Sequence, residues 1–315
     1  MPLDSASIME LRETHYNATV VEIHLIHSEL ALFRVKRDAG PLTFSPGQYT
    51  VLGLGYWEPR LPETQPESLT PELEHKLIKR AYSISCRLLD SQGTLSPTAT
   101  DELLEFYIAL VRRTASTPPA LTPRLFALKE GDRLHVGDHV HGHYTVDPID
   151  SDQDVFFLAT GTGEAPHNAM AVELLARRHR GRITNVTCVR YRRDLGYLKK
   201  HRALETLYPN YRYISLTTRE PENLDPQHPD YMGKQYLQEL VESGELEREA
   251  GAQLDPKSAQ VYLCGSPDMI GVPIRTHDPA KRYPVPKGMV EVLEQRGFRV
   301  DQPHHPGNIH FEKYW

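Results

Sequence analysis

Residues 154–176, DVFFLATGTGEAPHNAMAVELLA, set the strongest limit on how this chain can fold. A compact apolar run enters a Thr-Gly-Thr-Gly turn, and a helix-like stretch follows. A buried strand that ends in such a turn and opens a helix presents backbone N–H groups and the positive helix end to an anion. Glycine also lets the backbone approach a pyrophosphate closely. Thr160, Gly161, Thr162 and Gly163 are therefore candidate nucleotide-binding residues, although a tight connection alone uses the same turn.

The alternation continues to the end of the chain. ITNVTCVRY (183–191), a helix candidate near 197–207, YRYISLTTRE (211–220), the helix-like GKQYLQELVESGEL (233–246) and QVYLCGS (260–266) follow in turn. Strands alternating with helices predict a doubly wound parallel sheet, an α/β domain over 151–315. The first half reads differently. TVVEIHLIHSELALFRVKR (19–37), FSPGQYTVLGLGY (44–56), LEFYIALVRR (104–113) and DRLHVGDHVHGHYTV (132–146) are short strands parted by turn signals. They predict an antiparallel β-barrel domain over 1–150. Residues 57–79, proline-rich and closing on the charged, helix-like PELEHKLIKR, read as a surface insertion between two barrel strands. The boundary falls between about 146 and 154, in DPIDSDQD.

Several function classes are disfavoured. A net charge of −6 offers no basic surplus for nucleic-acid phosphates. Cys86, Cys188 and Cys264 are dispersed, which suits a reducing compartment and supplies no iron–sulfur or zinc set. No run approaches a membrane span, and the first residues lack a signal-peptide pattern, so the expectation is a soluble cytoplasmic protein. His139, His141 and His143 alternate on one face of the expected last barrel strand, with no carboxylate or thiolate beside them in sequence. A solvated barrel face outweighs a metal site there.

RAYSISC (80–86) is the second chemical signal. Arginine can hold a pyrophosphate with its fork of donors, and an aromatic two residues on can cover a flat ring. On a strand Arg80 and Tyr82 share a face. An ordinary barrel strand would read similarly, but R-x-Y-S followed by G-T-G-x-A-P is far more specific than either part.

This pair resembles the ferredoxin–NADP reductase family, and within it the bacterial ferredoxin/flavodoxin reductases. The resemblance runs from GQYTVLGL (47–54) through LEFYIALV, ALTPRLFALKEGD (120–132), VTCVRYRRDLGY (186–197), TTRE, GKQYLQELVESGEL and VYLCGSPDM to HFEKYW. It implies FAD on the barrel and NADP(H) on the α/β domain. By it, Arg80 and Ala81 would bind FAD at its pyrophosphate, Tyr82 would pack on the isoalloxazine, and Ser83 would hydrogen-bond near N5. Tyr107, Ala120, Leu121 and Thr122 would line the ribityl and phosphate path, with Thr122 capping a short TPRL helix. Thr162 would approach the flavin edge and the nicotinamide. Tyr314 and Trp315 would close over the FAD; the bacterial members stack a terminal Trp on adenine and the plant-type members a terminal Tyr on isoalloxazine, so the register stays open.

The same resemblance assigns Thr160, Gly161, Gly163, Thr218, Gly265 and Ser266 to NADP(H). It places Arg190, Arg219 and Lys234 around the adenosine 2′-phosphate, with Lys234 offering a point charge where the family more often has arginine. Cys264 would lie beside the nicotinamide, so Tyr82, Ser83 and Cys264 are positioning groups rather than proton-transfer groups. Glu164 and His167 depart from the family pattern, which has an apolar residue and an aromatic there. The implied reaction moves hydride to or from NADP(H) and single electrons to or from a small acidic carrier, ferredoxin or flavodoxin. Arg112, Arg113, Arg192, Arg193, Lys199 and Lys200 are candidates for a basic docking rim. The alternatives are a reductase component serving an oxygenase, and a non-enzymatic nucleotide-binding regulator. Monomer is the default state.

Overall fold

The computed structural model describes residues 3–97, 102–147, 149–274 and 282–314, which form two compact units. Unit 1 holds residues 1–87 and 96–143, and unit 2 holds residues 88–95 and 144–315.

Unit 1 is an antiparallel sheet of six strands. They are β1 (Ala18–His27), β2 (Leu30–Arg37), β3 (Tyr49–Gly55), β4 (Leu77–Ser83), β5 (Leu104–Ala109) and β6 (Arg133–Val136), ordered β4-β3-β6-β1-β2-β5. The Ser85 N–H donates to the Glu105 carbonyl at 2.9 Å. That bond joins the chain just past β4 to β5, so the two edge strands meet and the sheet closes as the expected barrel. Val20, Phe33, Leu52, Leu54, Phe106 and Val136 fill the interior. The helices of this unit are α1 (Ser5–His15) and the one-turn α2 (Thr122–Leu125).

Two expectations for this unit are corrected. The strand anticipated over 132–146 ends at Val136, and beyond it only His141 bridges back to Tyr49, so the three alternating histidines do not share a regular strand. Gly137 and Gly142 interrupt the run; a strand needs continuous extended backbone, and Gly142 has φ 100°. PELEHKLIKR is not helical either: residues 71–75 make turns, and β4 already begins at Leu77. The β-branched and aromatic run LIKRAYS pairs with β3 instead, and the sheet's bonds override the local helix propensity.

Unit 2 is a parallel sheet of five strands: β7 (Asp154–Thr160), β8 (Ile183–Val189), β9 (Tyr211–Thr217), β10 (Ala259–Gly265) and β11 (Ile309–Lys313). The order β11-β10-β7-β8-β9 reverses direction beside β7. Its helices are α3 (Glu164–Ala176), α4 (Leu198–Leu207), α5 (Pro221–Leu224), α6 (Leu237–Glu242), α7 (Glu245–Ala250), α8 (Pro267–Ile270) and α9 (Met289–Gln295). The helix expected over 233–246 is two short ones, because Gly244 adopts a left-handed conformation between α6 and α7. No helix among the described residues is long and apolar enough to cross a membrane.

Candidate functional site

In an open parallel sheet, ligands bind beyond the carboxyl ends of the strands where the strand order reverses. Here that point lies between β7 and β10, and the turns it brings together are Gly161-Thr162-Gly163 and Gly265-Ser266. The Ser266 N–H donates to the Thr160 hydroxyl at 2.8 Å and locks one turn to the other. A Cβ on Gly163 would sit 2.4 Å from the Cys264 carbonyl oxygen, and one on Gly265 would sit 2.3 Å from Thr160 Oγ1. These two glycines are thus demanded by the contact between the turns. Gly161 has φ +55° with open space beside its Cα, so it is the glycine that faces outward.

Cys264 is fully buried, and desolvation, helped by Glu312, pushes its thiol well above its usual pKa. A neutral thiol there packs and does not attack. The Tyr314 N–H donates to the Gly265 carbonyl at 3.0 Å, so the chain beyond β11 lies beside the same turn at Tyr314. Trp315 lies outside the described residues.

The three cations expected at a 2′-phosphate converge on neighbouring strand ends. Arg190 follows β8, Thr218 and Arg219 follow β9, and the Arg219 N–H donates to the Arg190 carbonyl at 2.9 Å. Lys234 is held between two anchors: Asn223 Nδ2 donates to the Gly233 carbonyl at 2.9 Å, and Cys188 Sγ lies 3.6 Å from the Gln235 carbonyl. Arg190, Arg219 and Lys234 are exposed, and among the described residues none of them makes an ion pair. Most other arginines in unit 2 are paired, including Arg177, Arg192, Arg202, Arg212 and Arg296. Tyr236, not singled out from the sequence, stands two residues after Lys234 and is 44% exposed. An aromatic two residues past an expected cation, the same spacing as Arg80 and Tyr82, was the available signal.

Behind the turn lie two buried polar groups, one around each departure from the family pattern. Glu164 opens α3 with no exposure, and its Oε1 accepts from Tyr213 Oη at 2.8 Å, His201 Nε2 at 2.9 Å and Thr187 Oγ1 at 3.2 Å. The His201 ring stacks on Tyr213 with centroids 3.9 Å apart, and its Nδ1 is 2.7 Å from Tyr211 Oη. His167 is buried next to Phe157, and its Nε2 lies 2.7 Å from Tyr144 Oη. Desolvation pushes the His167 imidazole down to about 3, so it is neutral and shares one hydrogen bond with the phenol.

On unit 1, the register pairs Thr50 with Tyr82 and Leu52 with Arg80 on adjacent strands. Arg80 and Ala81 are exposed, Tyr82 is half-buried and Ser83 is buried, so the RAYS motif offers a cation and a ring while its serine points inward. Tyr107 is buried on β5 opposite Leu32. Thr122 is not the cap of α2: Leu121 occupies that position, and the Thr122 hydroxyl accepts from the Val111 N–H at 3.1 Å. The N–H groups of Ala120, Leu121 and Thr122 donate to nothing among the described residues. Three consecutive open amides fit a phosphate.

Of the rim candidates, Arg112 pairs with Glu29 and Arg192 with Glu222, whereas Arg113 and Lys199 have no ion pair among the described residues. No metal-ligand cluster occurs among the described residues.

The oxidoreductase NAD-binding domain family matches residues 157–272. The flavodoxin/ferredoxin–NADP reductase of Escherichia coli K12 is 30% identical over 244 residues, covering 76% of this chain and 81% of that protein. Ferredoxin–NADP reductase A of Sorangium cellulosum is 28% identical over 307 residues, covering 94% and 88%. A crystal structure of a ferredoxin NADP+ reductase from Neisseria gonorrhoeae with bound FAD and NADP superposes with a TM-score of 0.69 at 18% identity, covering 95% of this chain and 98% of that one. With barrel, doubly wound sheet, R-x-Y-S strand and paired turns all in place, the chain is an oxidoreductase and belongs to the flavodoxin/ferredoxin–NADP reductase family.

Proposed function

We propose that this protein is a cytoplasmic FAD enzyme that exchanges hydride with NADP(H) and single electrons with a ferredoxin or flavodoxin. The observation that carries the reading is the set of cations unpaired among the described residues: Arg190 and Arg219, joined by a backbone bond beyond β8 and β9, and Lys234, whose neighbours are held by Asn223 and Cys188. A phosphate monoester supplies the missing negative charge, and a nucleotide without one leaves those cations facing water. Tyr236 would cover the adenine of the same nucleotide.

The remaining roles follow the residues. Gly161, Thr162, Gly163, Gly265 and Ser266 would take the pyrophosphate and nicotinamide, and the neutral Cys264 would lie beside that group. Arg80 and the amides of Ala120, Leu121 and Thr122 hold the FAD pyrophosphate; Tyr82, Ser83 and Tyr107 shape the space for the isoalloxazine and ribityl chain. Bound FAD supplies the conversion between hydride and one-electron chemistry. The protein itself positions, desolvates and supplies charge. Arg113 and Lys199 would contribute to docking an acidic carrier.

The test compares NADPH with NADH in steady-state reduction of an artificial acceptor. Wild type should favour NADPH in kcat/KM by at least tenfold, and the double substitution R219A/K234A should remove most of that preference through KM. Equal use of NADH by wild type would overturn the assignment and favour a reductase component serving an oxygenase.

A further inference from the structure

The segment between β3 and β4 is longer than a connection between neighbouring barrel strands requires, and its bonds show what it serves. From Arg60 to Glu67, among the described residues, every hydrogen bond that leaves the segment goes to residues 112–124. Arg60 Nη2 donates to the Pro119 carbonyl and to the Gln65 carbonyl, both at 2.9 Å. The Leu61 N–H donates to the Pro123 carbonyl at 2.8 Å, and the Gln65 N–H to the Arg112 carbonyl at 2.8 Å. Gln65 Oε1 accepts from the Thr114 N–H at 3.0 Å. Glu67 pairs with Arg124, whose side chain is 2% exposed and which also donates to the Ala120 carbonyl at 2.8 Å and the Tyr56 carbonyl at 2.9 Å.

These bonds take up the carbonyls of Pro119, Ala120 and Pro123. The amides of Ala120, Leu121 and Thr122 are left with no partner among the described residues. A peptide whose oxygen is fastened has little freedom to rotate, so its N–H direction is set before any ligand arrives.

We propose that residues 60–67 are a strap that holds the 119–124 backbone in its FAD-binding shape, which makes Arg60 and Glu67 positioning residues for the flavin diphosphate. The proposal rests on the reading that Ala120–Leu121–Thr122 faces that diphosphate. Glu58, nearer β3, serves a different element: its carboxylate accepts from Arg12 at 2.8 Å and from Tyr16 at 2.9 Å and so fastens α1.

The test measures FAD binding to apoprotein by flavin fluorescence, alongside the apoprotein's own melting temperature. Arg60→Ala should raise the FAD dissociation constant at least tenfold, mainly through faster release, and Arg60→Lys should recover part of it. Glu72→Ala, an exposed position on the same insertion, should bind FAD like wild type. An Arg60→Ala protein that melts earlier yet binds FAD as tightly as wild type would overturn the proposal and leave the strap a purely structural brace. If Arg60→Ala does not fold, Arg60→Lys and Gln65→Ala carry the same comparison at smaller amplitude, and unchanged FAD affinity in both would overturn it. Wild-type apoprotein that takes up no FAD would instead sink the underlying reading of the 120–122 amides.

Discussion

The two faces of the parallel sheet in unit 2 differ in the polar groups they bury among their apolar residues. On one face Phe156, Leu158, Val186, Ile214, Leu216, Val261 and Leu263 meet α6, α7 and α9 in a continuous apolar cluster. On the other, the alternate residues Asn185, Thr187, Tyr211, Tyr213 and Tyr262 are buried with Glu164, His167, Asn168 and His201 of α3 and α4. Among the described residues, Glu164 Oε2, His167 Nδ1 and the side-chain amides of Asn168 and Asn185 have no hydrogen-bond partner. The first face gains stability from area removed from water, in proportion to what it buries. The second gains from the bonds that Glu164 accepts and gives some of that back in the polar groups it buries without a partner, and it leads into the Gly161–Gly163 turn. A fold can be stabilised by either; the polar face adds directional bonds at Glu164, the residue that follows the turn.

Substitutions on each face should behave differently. Glu164→Ala leaves Tyr213, His201 and Thr187 without their shared acceptor, and the cost in chemical denaturation should be about 1–3 kcal/mol for each buried donor left unsatisfied. Glu164→Gln should cost clearly less, because a carboxamide oxygen still accepts. Equal losses for the two would show that space filling, not hydrogen bonding, governs this face. Leu263→Ala on the apolar face should cost about 2–4 kcal/mol, in proportion to the cavity it opens; NADPH affinity should be unchanged by it and weakened by Glu164→Ala.

The polar face should also carry the acid sensitivity. His167 is neutral in the fold with its pKa near 3, whereas the unfolded chain protonates it near 6.5. The unfolded state therefore binds the extra proton, and stability should fall as pH drops from about 6.5 towards 3, by up to roughly 1.4 kcal/mol per pH unit. His179, His310 and, in unit 1, His135 are lowered by burial too and act in the same direction. His167→Gln should flatten part of the slope between pH 6 and 4, and an unchanged slope would remove His167 from the account. The smallest effect should come from Lys234→Ala: exposed and unpaired, it should alter stability by no more than about 0.5 kcal/mol while raising KM for NADPH several-fold.

Much of this was legible in the sequence, for reasons that differ by element. Strands β1 to β3, β5 and β7 to β10 announced themselves through β-branched and apolar runs, because their pairing partners lie where pattern and turns place them. The GTG turn and the R-x-Y-S strand were legible because short motifs carry their own geometry. Helix α1 was not: it buries no residue, so no apolar stripe betrays it, and it is held by Arg12 and Tyr16 reaching Glu58 across more than forty residues of sequence. Its one local signal was Asp4, whose carboxylate caps the Ser7 N–H at 2.8 Å. The polar network was hidden for the same reason: Glu164 meets His201 and Tyr213 only after α3 and α4 pack on the sheet, and local spacing cannot report it.

The most direct test is anaerobic addition of one equivalent of NADPH to the purified, flavin-loaded protein, followed in the visible flavin bands. The expected result is a yellow protein that bleaches rapidly with NADPH and much more slowly with NADH. A protein that is colourless and takes up no added FAD, or whose flavin NADPH leaves oxidised, would contradict it.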